Sequence, residues 1–296
     1  MIEIQQLRKA YGSILAVDDL SFGIASGETF GLLGPNGAGK TTTINMMVGV
    51  LKPDSGEVII NGVTDPTDPS VRIQIGNAPQ SLALYDDLTA RENLAFFARL
   101  YGLAGSHLKE RVAWVLDVVG LSDRANDQVK TFSGGMKRRL NLSVALIHDA
   151  PVLLLDEPTV GVDPQSRNLI FDTIERLKSE GRTIVYTTHY MEEAQRLCDR
   201  VAIVDHGKLL AMGTVDELIS HHGGHSTIEV EFASRPKLPT NLEGHLEDKL
   251  FKMVTAKPLE VLNKLIEGGA RFTQVKIERP DLETVFLNLT GRSLRD

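Results

Sequence analysis

Cysteine is almost missing from this chain: Cys198 stands alone among 296 residues. A single cysteine cannot form an internal disulfide and supplies no thiolate cluster for zinc, which suits a reducing compartment. Cys198 itself reads as a small buried apolar residue. A surplus of basic charge is also missing. The formal charge of −7 sets aside broad electrostatic attraction to nucleic acid, and no nucleic-acid partner is expected. Nor does any apolar run approach the ~18 residues that would suggest a membrane span. The N-terminus, M-I-E-I-Q-Q, has no basic segment leading into an apolar one, so the chain is expected neither to cross a membrane nor to be exported. What is present is 42% apolar residues, ample for the core of one large domain or of a large and a small one.

The most informative stretch is G-P-N-G-A-G-K-T-T, Gly34 to Thr42. An apolar run fit for a buried strand precedes it and a helical segment follows, the context that a phosphate-binding loop requires. Glycines at 34, 37 and 39 let backbone N–H groups of the loop, including those of Asn36 and Ala38 beyond Pro35, turn towards phosphate oxygens. The helix opening near Lys40 adds its positive dipole end. Lys40 is placed for the β- and γ-phosphates, Thr41 for Mg²⁺, and Thr42 for phosphate or the start of the helix.

Companion residues appear in order along the chain. Before the loop, alternating segments from Met1 to Ile24 read as antiparallel β structure, and Tyr11 in a Y-G turn offers an aromatic face to a base. After it, Asn61-Gly62 signals a hairpin that would continue the β layer. I-G-N-A-P-Q then ends at Gln80, whose amide can accept from a metal-bound water and donate to a γ-phosphate. From Leu88 to His148 apolar residues recur at helical spacing, which predicts an inserted helical subdomain. Ser133 is placed to cap a helix carrying the stripe Met136, Leu140, Val144 and Ile147. Gly134 and Gly135 fit badly in a first turn, and a second phosphate-facing helix N-terminus would explain them. Lys137, Arg138 and Arg139 read as a solvated face.

P-V-L-L-L-D-E-P is an apolar strand running into two carboxylates. Asp156 is placed to hold Mg²⁺ through water, and Glu157 to orient and deprotonate an attacking water. Asp163 in G-V-D-P either caps a helix or meets a partner. His189, after R-T-I-V-Y-T-T, can hydrogen-bond the γ-phosphate from the end of the next strand.

With these residues in view, the first 220 or so positions resemble an ABC transporter ATPase subunit, carrying GPNGAGKT, APQ, FSGGM, LLLDEP, GVD and TTH in that family's order. Met136 departs from the pattern, standing where glutamine is usual. The resemblance implies a P-loop NTPase of the α/β class with a mixed β core, an antiparallel β subdomain and an inserted helical subdomain at about 84–150. It makes Tyr11 the adenine-stacking aromatic and Gln80 a metal contact and the lever between nucleotide and permease. Ser133 to Gly135 become the signature facing another subunit's P-loop, with Asp163 and His189 as D-loop and switch residues. ATP and Mg²⁺ are the implied cofactors. The implied partners are a second ATPase subunit, in a homodimer with two working sites or in a heterodimer, and an integral-membrane permease. The subunit would be cytoplasmic, held peripherally on the inner face of the membrane by that permease.

Residues 221–226, within S-H-H-G-G-H-S, read as a hinge and not as a histidine metal site. Residues 227–296 alternate strand and helix patterns and predict a small α+β domain without catalytic features. Its tail, together with FSGGMKRRL and EPTVGVDPQSR, resembles ATPases of drug- and antibiotic-export systems, which implies export of a small amphipathic or drug-like compound. The alternatives are an importer ATPase with a C-terminal regulatory domain and a soluble non-transport ABC ATPase. The second normally carries two cassettes or a long coiled coil, and this chain has neither.

Overall fold

The computed structural model describes residues 1–234, 236, 238 and 242–291. The chain divides into two compact units, a first spanning Met1–Thr214 and a second beginning at Val215. The first unit runs β1 (Ile2–Tyr11), β2 (Ile14–Ile24), β3 (Thr29–Leu33), α1 (Lys40–Met47), β4 (Ser55–Ile60), α2 (Pro69–Arg72) and β5 (Ile75–Ala78). It continues with α3 (Ala90–Leu100), α4 (Gly105–Val118), α5 (Gly134–Leu146), β6 (Val152–Asp156), α6 (Pro164–Ser179), β7 (Thr183–Thr188), α7 (Met191–Leu197), β8 (Arg200–Asp205) and β9 (Lys208–Gly213).

A six-stranded sheet in the order β5-β6-β7-β3-β8-β9 forms its centre, parallel except for the β8–β9 pair. Strands β3, β6 and β7 are buried along their whole length. They show no alternation of buried and exposed residues, because a parallel sheet covered on both faces has no solvent side to alternate with. A second, antiparallel sheet has the order β2-β1-β4. Ile4, Phe22 and Ile60 from it join Phe30, Leu154 and Ile44 in one core, and Phe22 stacks on Phe30 with ring centroids 5.1 Å apart.

The turn at Asn61-Gly62 forms as its dipeptide predicts, with both residues at positive φ and Ile60 bridging Val63. The β layer does not continue beyond it. Pro66 and Pro69 follow at once, and proline removes the backbone donors a further strand would need.

The helical insertion opens at α3 with a reciprocal capping box between Thr89 and Glu92, which satisfies orphan backbone donors at that terminus. Helix α5 is not the one-sided stripe expected of it. Asn141, Leu142 and Ser143 are buried along with Leu140 and Ile147, since the helix presses so closely on β5 that a Cβ at Gly76 would sit 2.0 Å from the Ala145 carbonyl.

The second unit runs α8 (Val215–His222), β10 (Ser226–Phe232), β11 (His245–Glu247), β12 (Leu250–Thr255), α9 (Pro258–Glu267), β13 (Phe272–Glu278) and α10 (Leu282–Thr290). Its antiparallel sheet has the order β11-β12-β10-β13. The expected boundary needs correction here. His221 and His222 end a helix of this unit, the Asn288 side chain donates to the His222 carbonyl, and Gly223 packs against Pro280. The 221–226 stretch is thus a packed helix end and turn, not a linker ahead of the unit. Residues 292–296, which the expected domain includes, lie outside the described residues. Among the described residues no helix is long and apolar enough to cross a membrane, and no cluster of metal-ligating side chains occurs.

Candidate nucleotide site

Three adjacent strands of the parallel sheet, β6, β7 and β3, end side by side, with Asp156 in register with Thr187 and Thr188 with Leu33. Ligands in open α/β sheets gather at such carboxyl ends. The Gly34–Gly39 loop leaves β3 there, Asp156 and Glu157 leave β6, and His189 leaves β7.

Close packing explains Gly34 and Gly39, whereas Gly37 has open space around it and is set by its positive φ of 83°. A Cβ at Gly34 would lie 2.2 Å from the Val204 carbonyl and one at Gly39 2.3 Å from the Ala16 carbonyl. Gly39 also takes φ 101°, a conformation L side chains rarely adopt, as the last residue before α1. Lys40, 4% exposed, is drawn back over the loop. Its Nζ donates to the Gly34 and Pro35 carbonyls at 2.7 and 3.0 Å and pairs with Glu157 Oε1 at 3.0 Å.

Glu157 is the hub. Besides Lys40, its carboxylate accepts from Gln80 Nε2 at 3.2 Å and lies 3.4 Å from His189 Nδ1. That imidazole nitrogen is buried and makes no hydrogen bond. The Glu157 backbone holds φ 47°, a left-handed conformation that costs a non-glycine residue about 1–3 kcal/mol and is found disproportionately at functional sites. Its N–H is anchored to Thr187 Oγ1 at 2.9 Å. The same hydroxyl donates to Asp156 Oδ1 at 2.5 Å. Burial raises the Asp156 carboxyl above its usual value, hydrogen bonds from Thr187 and Thr41 hold it down, and the Glu157 charge adds to the rise. A hydroxyl and a carboxylate in contact, Thr41 and Asp156, form an all-oxygen donor set suited to a hard divalent cation.

An open cleft of about 540 Å³ is lined by Asn36, Gly37, Gly39, Lys40, Thr41, Thr42, Gln80 and Glu157, with Ile14, Leu15, Ala16 and His206 towards the β1–β2 side. Tyr11 is not in its lining. It stands 49% exposed at the end of β1, opposite Ile14. Ser133, Gly134, Gly135 and Asp163 do not line the cleft either. Ser133 caps α5, accepting from the Met136 N–H, and Asp163 caps α6, accepting from the Ser166 N–H at 2.9 Å.

The two glycines after Ser133 separate. A Cβ at Gly135 would fall 2.1 Å from Ser166 Oγ, so packing of α5 on α6 within the chain already requires that glycine. Gly134 is exposed, with nothing nearer than 3.8 Å to such a Cβ. The basic triplet is not a free solvated face. Arg139 is buried and donates to the Val119 and Gly120 carbonyls, Lys137 pairs with Asp86, and Arg138 donates to the Gln80 carbonyl. Asn141 completes a clamp on the Gln80 loop, donating to Pro79 O and accepting from Ala83 N, both at 3.1 Å. These contacts went unread because they depend on which loop lies beside α5.

The geometry has known counterparts. The sequence profile of the ABC transporter family matches residues 17–160. Over its full length the chain is 43% identical to the linearmycin resistance ATP-binding protein of Bacillus subtilis (strain 168), covering all of that protein. The chain belongs to the ABC transporter ATP-binding family. This ABC ATPase is also 41% identical to the Nod factor export ATP-binding protein I of Ralstonia nicotianae, with 100% of this chain and 95% of that protein covered. Among solved structures, a dimeric ATP-binding cassette in a post-hydrolysis state with ADP and phosphate matches 72% of this chain and 98% of its own at TM-score 0.67 and 27% identity. An ATP-binding subunit of an ABC transporter matches 75% of this chain and 93% of its own at TM-score 0.68 and 31% identity. This ABC ATPase is accordingly an ATP-hydrolysing subunit of an ABC transporter.

Proposed function

We propose that this subunit closes around ATP as a dimer and drives a separate membrane permease that exports a small amphipathic or drug-like compound. The observation that carries it is the grouping of Glu157 with Lys40, Gln80 and His189 at the mouth of the glycine loop. Export is supported by relatives named for linearmycin resistance and Nod factor export that match along the whole chain. A permease is required because a nucleotide cleft alone moves no solute, and action through one places the subunit on the cytoplasmic face of the membrane.

In this reading Asn36, Gly37, Ala38 and Gly39 present backbone N–H groups to the β- and γ-phosphates, and Lys40 exchanges its loop carbonyls and Glu157 for phosphate oxygens. Thr42 contacts phosphate at the start of α1. Thr41, Asp156 and Gln80 would hold Mg²⁺, which neutralises charge on the phosphates. Glu157, released from Lys40, accepts a proton from the attacking water while His189 hydrogen-bonds the γ-phosphate. Ser133, Gly134 and Asp163, absent from their own chain's cleft, serve the second subunit's nucleotide, where donors at the α5 N-terminus stabilise charge developing on the γ-phosphate. Tyr11 offers its exposed ring to the adenine.

Replacing Glu157 by Gln tests the assignment. Turnover should fall by roughly 10²- to 10⁴-fold while ATP binding persists and an ATP-bound dimer accumulates on size-exclusion chromatography. Hydrolysis at the wild-type rate would remove Glu157 as the base.

A further inference from the structure

Glu193 lies on α7, only 2% exposed, and the mechanism above makes no use of it. Burying a carboxylate is costly unless donors surround it, and here hydroxyls do. Thr159 Oγ1 donates to Oε1 at 2.7 Å, while Tyr186 OH and Thr188 Oγ1 donate to Oε2 at 2.9 and 2.8 Å. Arg167 Nε, at 3.9 Å, stays outside hydrogen-bond distance.

The donors come from the segments that carry the site. Thr159 follows Glu157 after a single intervening residue. Thr188 immediately precedes His189, and its hydroxyl also accepts from the Tyr190 N–H at 2.9 Å, so the backbone is held on both sides of the imidazole. His189 has little else to hold it, since its Nδ1 makes no hydrogen bond and its ring rests obliquely on Tyr190 with centroids 4.1 Å apart. The carboxylate therefore joins the Glu157 segment to the His189 segment at the one place where neither active side chain bonds firmly to the other.

We propose that Glu193 is a positioning residue that sets His189 against Glu157 through Thr159 and Thr188. The alternative is a plain fastener of α7 to the sheet, which would affect folding and leave catalysis by the folded protein unchanged. The inference rests on His189 as a γ-phosphate contact, and His189→Ala alone tests that premise.

The experiment is a double-mutant cycle on steady-state ATP hydrolysis by the full-length chain, with thermal melting recorded for each variant. Glu193→Gln keeps the shape but turns an amide N–H₂ towards one set of hydroxyl donors. Misplacement of about an ångström can cost roughly 10²-fold, so we expect kcat down about 10- to 100-fold with KM for ATP within about twofold. In a His189→Ala background the same substitution should cost less than about twofold, because the group it positions is gone. A full additional loss in that background, or an unchanged kcat in Glu193→Gln alone, overturns the proposal. An unchanged kcat in His189→Ala alone overturns the underlying reading instead. Should Glu193→Gln fail to fold, Thr188→Ser and Thr188→Val replace it: the serine variant should retain wild-type kcat, and the valine variant should lose it non-additively with His189→Ala. Equal rates for serine and valine would also refute the positioning role.

Discussion

The two units of the chain treat charge in opposite ways. In the first, Lys40, Asp156, Glu157 and Glu193 are each no more than 4% exposed. In the second, Lys252 pairs with Glu229, Lys257 with Glu260 and Lys276 with Glu278, all at the surface. Among the described residues every buried charged side chain lies in the first unit. Exposed pairs contribute little to stability, so the second unit is held by its apolar core of Ile228, Val230, Phe232, Phe251, Val261 and Leu265. Buried charges add to the cost of folding, and their concentration at three strand ends with a left-handed Glu157 marks where stability has been traded for chemistry.

If that contrast holds, the units should fail differently. Phe251, fully buried in the second core, is the stronger lever. Phe251→Ala should destabilise that unit by about 3–5 kcal/mol, visible as an earlier melting transition, while ATP affinity stays at the wild-type level. Loss of ATP binding in step with that transition would break the distinction between the units.

A smaller effect is expected at Asp156. Because burial raises its folded-state pKa, the folded chain binds the Asp156 proton more tightly than the unfolded chain does. Its contribution to stability is therefore greatest at low pH and falls as pH rises from the ordinary aspartate range through the raised value. Asp156→Asn should flatten this slope and raise the nucleotide-free melting temperature at neutral pH by a few degrees, while abolishing hydrolysis. A lower melting temperature for Asp156→Asn would show that Thr187 and Thr41 fully compensate the buried charge.

Much of the site is legible in the sequence because its parts are contiguous. A buried strand followed by G-P-N-G-A-G-K-T-T, or by D-E-P, carries both the element and the chemistry within a few residues. The helices at 258–267 and 282–290 and the strands at 226–232 and 272–278 are legible for the same reason, each showing its own period. The β11–β12 hairpin has too short a first strand to show one. Glu193 was hidden for a different reason: Glu192-Glu193 resembles any acidic pair in the first turn of a helix, and only the fold brings Thr159 and Thr188 to the second of them. The Arg138–Asn141 clamp and the packing need at Gly135 are likewise properties of neighbours that no local pattern names. The Gly-Gly pair, read as one signal, divides into Gly135, which packing on Ser166 requires, and Gly134, which no packing within the chain requires.

The central claim is that the glycine loop of one chain is completed by α5 of another. Mixing a Lys40→Ala chain with a Ser133→Arg chain measures this directly, since a mixed dimer pairs the intact loop of one with the intact Ser133 of the other. The account predicts ATP hydrolysis well above that of either variant alone. Activity no greater than the sum of the separate variants, with mixed dimers demonstrably present, would contradict it.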